Sequence, residues 1–304
     1  MTKSRRKEIG LIDCDRTSFP NLALMKLSAY HKAKGDNVEF LNSFKHYDVA
    51  YISKVFDDTY SKYSDPFMCA DEVIRGGTGY GLNNRLPEEI EHIKPDTSLY
   101  NIKNIAYGFL TRGCPRACPF CIVATKEGRK SVKVADLSEF WGGERHIELL
   151  DPNILASQDY ENLLIQLAES KASVNFNQGI DARLLTKENI RLLNKINISL
   201  IHFAWDLPAF SKQIIEGLKL YDKLGAVKNS RNRKVYVLTN FGTTHEFDLQ
   251  RVYFLRQLNF DPYIMIYNKP AAPRITKQLQ RYVNNKFIFK SALDFNDYLN
   301  YQEA

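Results

Sequence analysis

A chain of 304 residues, 44% of them hydrophobic, is long enough to bury one large core or two smaller ones. No run of about eighteen apolar residues occurs, and the start MTKSRRKEIG leads into a strand-like segment with no signal-peptide core, so a cytoplasmic protein without a membrane partner is expected. The formal net charge of +7 permits a polyanionic partner without requiring one, because the densest basic groups, KSRRK at the start and KNSRNRK at 228–234, also suit a solvated tail and a solvated loop.

In chain order, IGLIDCD has the apolar run of a strand, and NLALMKLSAYHKAKG places Leu22, Met25, Leu27 and Tyr30 on one side of a helix that ends at Gly35. Strands NVEFLN and YDVAYISKVF follow, which is βαβ material for a small parallel sheet with a right-handed crossover. Between Arg75 and Asn101, Gly, Asn and Pro crowd a connector with at most a short helix after Pro87. The boundary between a small α/β domain, residues 1–101, and a second domain, residues 102–304, is placed at its end. From residue 102 onward the strands NIAYGFL, HIELLD, SVNFNQ, ISLIHFAW, KVYVLTNF and PYIMIYN alternate with helices such as YENLLIQLAESK, TKENIRLLNKI, FSKQIIEGLKLYDKLG and EFDLQRVYFLRQL. The expected fold class is therefore α/β, a partial parallel (β/α)6 barrel with a C-terminal helical extension behind the small α/β domain. In such a barrel the functional residues occupy loops after the C-terminal ends of the strands.

The run RGCPRACPFCIV, residues 112–123, follows the first of those strands and holds Cys114, Cys118 and Cys121. Five cysteines with three of them clustered do not read as a disulfide framework, and a group of thiols in a reducing compartment points to a metal site. Cys14 and Cys69 read as buried thiols. Three thiolates can hold three irons of a cubane and leave the fourth iron open to a substrate or cofactor. Gly113, Pro115 and Pro119 keep the segment out of helix, so that a loop can wrap around a cluster. A zinc site completed by His146 or Cys69, or three unligated cysteines, are the other readings of the same residues. The remaining histidines, His31 and His202 among them, form no metal spacing and read as structural or exposed.

The spacing Cys114-x-x-x-Cys118-x-x-Cys121, with Phe120 before the last cysteine, resembles the signature of the radical S-adenosylmethionine (SAM) superfamily. The resemblance covers about residues 102–290. It implies a [4Fe-4S] cluster whose free iron chelates SAM, reductive cleavage to methionine and a 5'-deoxyadenosyl radical, and an electron donor such as flavodoxin or ferredoxin. It also implies a polar motif at the end of the second barrel strand that receives the SAM amino group. The triplet GGE at 142–144 is set aside because it precedes the strand HIELLD, and Asp151 with Asn153 in DPN take the role instead; an Asx turn capping a helix is the alternative for that pair. In NQGIDARLL, Gln178, Asp181 and Arg183 reach the barrel mouth, where Arg183 is expected to pair with the SAM carboxylate or simply with Asp181. Asp206 in FAWDLP resembles the residue that meets the ribose hydroxyls. VYVLTNFGTTHEFD resembles the strand and glycine turn that pack against adenine, with Val237 and Leu238 equally explained as core and with Asn240 where many relatives have glycine.

Gly128 and Arg129 resemble a Gly-Arg pair of the cobalamin-linked and methylthiotransferase-like branches, and the N-terminal segment resembles a degenerate form of their Rossmann-like domain. The stretch DCDRTSFPN lacks the histidine of an Asp-x-His-x-x-Gly element, which argues against histidine-ligated cobalamin and leaves cobalamin without that ligand open. A nucleic acid or nucleotide is preferred as substrate over a peptide or small metabolite, with Arg231 and Arg233 as its phosphate contacts. The reading from another class is a non-catalytic iron-sulfur or zinc protein that binds nucleic acid or a protein partner.

Overall fold

Residues 5–57, 61 and 69–303 are described by the computed structural model; the first residues of the basic start, at 1–4, lie outside them. Near the N-terminus, β1 (Glu8–Asp13), α1 (Leu22–Ala33), β2 (Asn37–Phe40), β3 (His46–Ser53) and β4 (Cys69–Gly76) build a four-stranded parallel sheet in the order β2-β1-β3-β4. The apolar run of β1 makes it a central strand, with Ile9 and Leu11 buried against Leu24 and Leu27 of α1. The Asn21 side chain caps α1 by accepting the Leu24 N–H at 3.2 Å, and Gly35, with φ of +87°, closes its far end. The buried face of α1 runs through Leu24, Met25, Leu27 and Ser28 to His31, so Leu22 and Tyr30 are only half-buried. β4 is absent from the sequence expectations because CADEVIRG sits at an edge with most side chains outside the core, and its alternation is weak. With β2 on one side of β1 and β3 on the other, the carboxyl ends of β1 and β3 form a topological switch point.

The connector carries the short α2 (Glu88–Glu91), and β5 (Ile105–Gly108) then opens the second sheet. β6 (Thr111–Arg112), α3 (Val123–Lys126) and β7 (Val132–Lys133) form an excursion before β8 (His146–Leu149). After it come α4 (Tyr160–Ser170), β9 (Ser173–Ile180), α5 (Lys187–Leu193), β10 (Ile198–Ala204), α6 (Ser211–Leu224), β11 (Arg233–Thr239), α7 (His245–Gln257) and β12 (Asp261–Ile266). The helices α8 (Arg274–Asn284), α9 (Lys286–Ser291) and α10 (Phe295–Glu303) complete the chain. The six strands pair in parallel in the order β12-β11-β10-β9-β8-β5, with β5 and β12 at the two edges. All six barrel strands expected from periodicity are present, and so are the helices between them.

Period-two alternation gives this sheet two different faces. Ile147, Val174, Phe176, Ile201, Phe203 and Val235 point outward and are buried against Leu163, Leu167, Ile190, Leu218, Val252 and Leu255 of the helices. Each such side chain contributes about 1.5–3 kcal/mol of burial. The other face presents Tyr107, Asn175, His202, Lys234, Tyr236 and Tyr263 to a cavity of about 1600 Å³. A complete eight-stranded barrel fills this space with branched apolar side chains. Here it is a polar and aromatic chamber, also lined by Asp13, Ser53 and Gly76 at the carboxyl ends of β1, β3 and β4.

One glycine sets the distance between a helix and the barrel mouth. A Cβ on Gly217 of α6 would collide with the Ala182 carbonyl in the turn that carries Asp181 and Arg183. Gly217→Ala is expected to cost about 1–3 kcal/mol by overpacking and to displace that turn. Thermal denaturation measures the first effect and SAM affinity the second.

Candidate active site

The cysteine run is a loop held shut at its stem. β6 and β7 pair antiparallel, Thr111 opposite Lys133 and Arg112 opposite Val132, so residues 113–131 leave and return at one point. Gly113 has a φ of +84° and a Cβ there would strike the Lys130 carbonyl, which restricts the position to glycine. The Cys114 N–H donates to the Gly128 carbonyl at 3.1 Å, and Gly128 itself turns through a φ of +103°. Cys121 N–H donates to the Cys118 carbonyl at 2.9 Å. The three thiols form no disulfide; Cys114 and Cys118 are half-buried and Cys121 is exposed. Burial pushes the Cys118 and Cys121 thiols up, and for Cys118 the Arg183 guanidinium pulls the other way.

Asp151 and Asn153, adjacent in the sequence motif, do different work. Asp151 is buried and both its oxygens are engaged: Oδ2 accepts the Leu110 N–H at 3.0 Å, while Oδ1 accepts the Thr111 N–H and, at 2.6 Å, the Thr111 hydroxyl. Burial pushes its carboxyl up to about 6 against the pull of these donors. The carboxylate thus ties the end of β8 to the stem of the cysteine loop, a tie that the expected contact with the SAM amino group did not include. Asn153 does reach the thiols. Its Nδ2 donates to Cys114 Sγ at 3.6 Å and to Asp181 Oδ2 at 3.2 Å, and its Oδ1 is buried with no partner among the described residues.

Asp181, expected from the sequence only as a partner for Arg183, is a hub. It accepts from Arg183 Nε at 2.7 Å and Nη2 at 3.0 Å, from Arg116 Nε at 2.7 Å, and from Asn153. Burial opposes its ionisation, yet the Arg183 and Arg116 guanidinium groups hold its carboxyl below the usual carboxylate range. Arg183 is thus paired as one of its two readings had it, and it also lies over the Phe210 ring with its charge acting on Cys118. Asp206 follows the end of β10, where burial pushes its carboxyl up to about 6 against Arg251 and Arg183. Beneath it, the buried Arg251 of α7 donates to the carbonyls of Trp205 and Leu238, the latter at 2.8 Å, and pairs with Asp248. Asp248 and Arg251 occupy the buried face of α7 together with Val252 and Leu255, a pattern visible in EFDLQRVYFLRQL that the sequence reading did not use.

Asn240 takes a φ of +62° and bonds the Tyr267 carbonyl through Nδ2 at 2.8 Å, so the residue that departs from glycine adopts the backbone that glycine would. Beside it, Phe120 meets Phe241 at 5.3 Å and Phe241 meets Tyr267 at 4.8 Å, both edge to face, giving an apolar wall from the cysteine loop to the ends of β11 and β12. Gln178 is exposed at the mouth of the chamber. Glu144 lies before β8 and pairs with Lys94 at 2.6 Å, at the far end of the strand from the cysteines. His146 opens β8 at that same end and Cys69 belongs to the other sheet, so neither completes a zinc site. Among the described residues no three His, Cys, Asp or Glu side chains converge on one ion.

The N-terminal portion is fastened to the cysteine loop. Glu91 of α2 bridges Lys26 of α1, at 3.0 Å, and Arg112 of β6, at 3.1 Å. Arg112 continues to Glu127 at 3.1 Å, whose other oxygen accepts the Gly113 N–H at 3.2 Å. Arg85 and Thr78 of the connector hold Lys126 through its carbonyl and its Nζ.

The basic loop has a different fate from the one expected. Arg233 is buried, donating to the carbonyls of Asn259 and Leu258 at 2.9 and 2.8 Å and pairing with Asp222 at 2.9 Å. It is too buried to contact phosphate, and residues 228–232 precede β11, so the basic run lies at the end of the barrel away from the cysteines. Arg231 alone of the pair is exposed. Arg233→Ala is expected to lower stability by about 2–4 kcal/mol, the scale for leaving the Asn259 and Leu258 carbonyls without their donor, as read by denaturant unfolding.

No family model and no curated protein matches the sequence. Among solved structures, the radical S-adenosylmethionine methyltransferase TsrM from Kitasatospora setae, with cobalamin and a [4Fe-4S] cluster bound, superposes with a TM-score of 0.60 at 11% identity, over 86% of this chain and 72% of that one. The chain has a radical SAM fold. TsrM with tryptophan substrate and a SAM analogue bound gives a TM-score of 0.59 at 11% identity, over 84% and 72% of the two chains. SuiB from Streptococcus suis bound to S-adenosylmethionine aligns more loosely, with a TM-score of 0.41 at 17% identity over 67% and 49%. No helix among the described residues is long and apolar enough to cross a membrane.

Proposed function

We propose that the protein is a radical SAM enzyme in which Cys114, Cys118 and Cys121 hold a [4Fe-4S] cluster. One observation carries the reading: three thiols sit on a loop clasped at the carboxyl end of β5, and the buried Asn153 that contacts Cys114 keeps one oxygen without a partner among the described residues. A buried acceptor left open costs about 1–3 kcal/mol, and an ammonium group such as that of SAM would satisfy it. The donor set fits the group. Three thiolates and, among the described residues, no fourth ligand suit a cubane with one open iron, and separate thiolates need not converge on one point as zinc ligands must. When bound, the cluster with SAM supplies reductive cleavage to methionine and a 5'-deoxyadenosyl radical, the electron coming from a donor such as flavodoxin or ferredoxin.

The chain's own residues bind and orient. Asn153 Oδ1 accepts from the SAM amino group, and Arg183, positioned by Asp181, offers its guanidinium to the SAM carboxylate. Asp206, set by Arg251, faces the ribose hydroxyls, and the wall of Phe120, Phe241 and Tyr267 packs on adenine while excluding water. The substrate enters the chamber between the two sheets, a shape that supports a small or slender molecule over a nucleic acid lying across the surface. TsrM is a methyltransferase with cobalamin bound, and in this chain the switch point of β1 and β3 borders the chamber, but the loop after β1 carries no histidine. Cobalamin without a histidine ligand is the second reading of the chamber's upper end. Anaerobic purification followed by metal analysis tests the proposal: about four irons per chain are expected, and stoichiometric zinc would overturn it in favour of a non-catalytic binding protein.

A further inference from the structure

The inner face of the barrel has a floor whose chemistry the cluster end does not use. Strand register places His202 beside Lys234 and, two residues higher, Ala204 beside Tyr236 and Tyr236 beside Tyr263. All of these line the chamber. Asp261, opposite Lys234 in the ladder, is already paired with Lys286 at 2.6 Å. Lys234 lines the chamber and makes no ion pair or hydrogen bond among the described residues, so it is available to an anion there.

His202 is fixed in one tautomer. Its Nδ1 lies 3.0 Å from the Phe176 carbonyl, which can only accept, so Nδ1 carries the proton and Nε2 keeps a lone pair. Among the described residues Nε2 has no partner, and it is not a sealed polar atom, which leaves it open to the chamber. Burial pushes the ring down to about 4, and Lys234 adds to the effect, so the lone pair persists at neutral pH. The ring stacks on Tyr236 at 4.8 Å with only 5° between planes, and Tyr236 is held by donating to the Asn177 carbonyl at 3.1 Å. Tyr263 and Met265 on the edge strand complete an aromatic and thioether surface, 40% and 46% exposed.

We propose that this floor is a head-group subsite for the substrate and takes an aromatic acid: an anionic group on Lys234, an N–H or O–H donor on His202 Nε2, and a planar body against Tyr236 and Tyr263. The proposal rests on the chamber being the substrate's, and it adds a length. Asp206 lies two residues beyond Ala204 and so level with Leu238, four residues above Lys234, which is on the order of 13 Å at about 3.3 Å per residue. The reacting carbon therefore lies at the opposite end of the molecule from its acid group.

The test uses two probes on the anaerobically reconstituted protein by equilibrium dialysis: 8-anilinonaphthalene-1-sulfonate and its uncharged analogue N-phenyl-1-naphthylamine. The sulfonate is expected to bind more tightly than the neutral probe, and Lys234→Gln to weaken it about tenfold, the scale of a charged hydrogen bond, with the neutral probe changed less than about twofold. Lys234→Arg should keep the preference, and Arg231→Ala, on the exposed loop, should leave both probes unchanged. Equal affinity for the two probes in the unmodified protein overturns the proposal, as does a sulfonate preference that survives Lys234→Gln. If Lys234→Gln does not fold, the comparison of the two probes on the unmodified and Lys234→Arg proteins decides. Neither probe depends on SAM cleavage, so a chamber without anion preference and a cysteine loop without SAM chemistry are read separately.

Discussion

Cys118→Ala protein is expected to purify colourless, with its iron lost and its formation of 5'-deoxyadenosine below detection, while its unfolding midpoint stays within about 2 °C of the unmodified protein stripped of its iron. The asymmetry follows from where the thiol sits. Cys118 lies half-buried in the loop rather than in the core, so removing it leaves no core cavity. Two remaining thiolates cannot hold a cubane that already lacks a fourth protein ligand. Iron and acid-labile sulfide analysis beside circular dichroism checks both halves. Retention of full iron in the variant would show that the three cysteines are not the ligand set.

The second large effect separates two residues that the motif DPN places side by side. Asp151→Ala leaves the Leu110 and Thr111 N–H groups buried without acceptors, at about 1–3 kcal/mol each. It should lower the unfolding free energy by several kcal/mol and loosen the stem of the cysteine loop, so that iron is lost on gel filtration. Asn153→Ala removes a side chain with one buried, unpartnered oxygen and a weak thiol contact. Its stability should change by less than about 1 kcal/mol and its iron should remain, while SAM affinity falls about tenfold or more, as for a lost charge-assisted hydrogen bond. SAM affinity unchanged in Asn153→Ala, with affinity lost in a stable, iron-replete Asp151→Ala, would restore the opposite assignment.

Much of this was legible because it is local. The thiol spacing and the glycine and proline residues around it lie within one loop, and six parallel strands declare themselves by period and spacing. The placement of GGE ahead of β8 followed from strand order, and Glu144 does pair with Lys94 there. What was hidden depends on direction. Arg231 and Arg233 look equivalent in a basic run, yet Arg233 begins β11 and points into the core beside Phe260 while Arg231 stays outside. The division of labour between Asp151 and Asn153 depends on two backbone amides at 110 and 111 that arrive from β6, which no spacing encodes. β4 was hidden because an edge strand exposes most of its side chains. His202 read as structural or exposed because a lone histidine in ISLIHFAW reveals neither its tautomer nor the chamber it faces.

The central claim stands on one measurement, SAM turnover by the reconstituted protein. With iron and sulfide restored anaerobically and dithionite as reductant, the protein incubated with SAM should release 5'-deoxyadenosine and methionine in equal amounts, and Cys114→Ala, Cys118→Ala and Cys121→Ala should each release none. An iron-replete, reduced protein that binds SAM yet forms no 5'-deoxyadenosine, or one whose metal proves to be zinc at one per chain, would contradict the account.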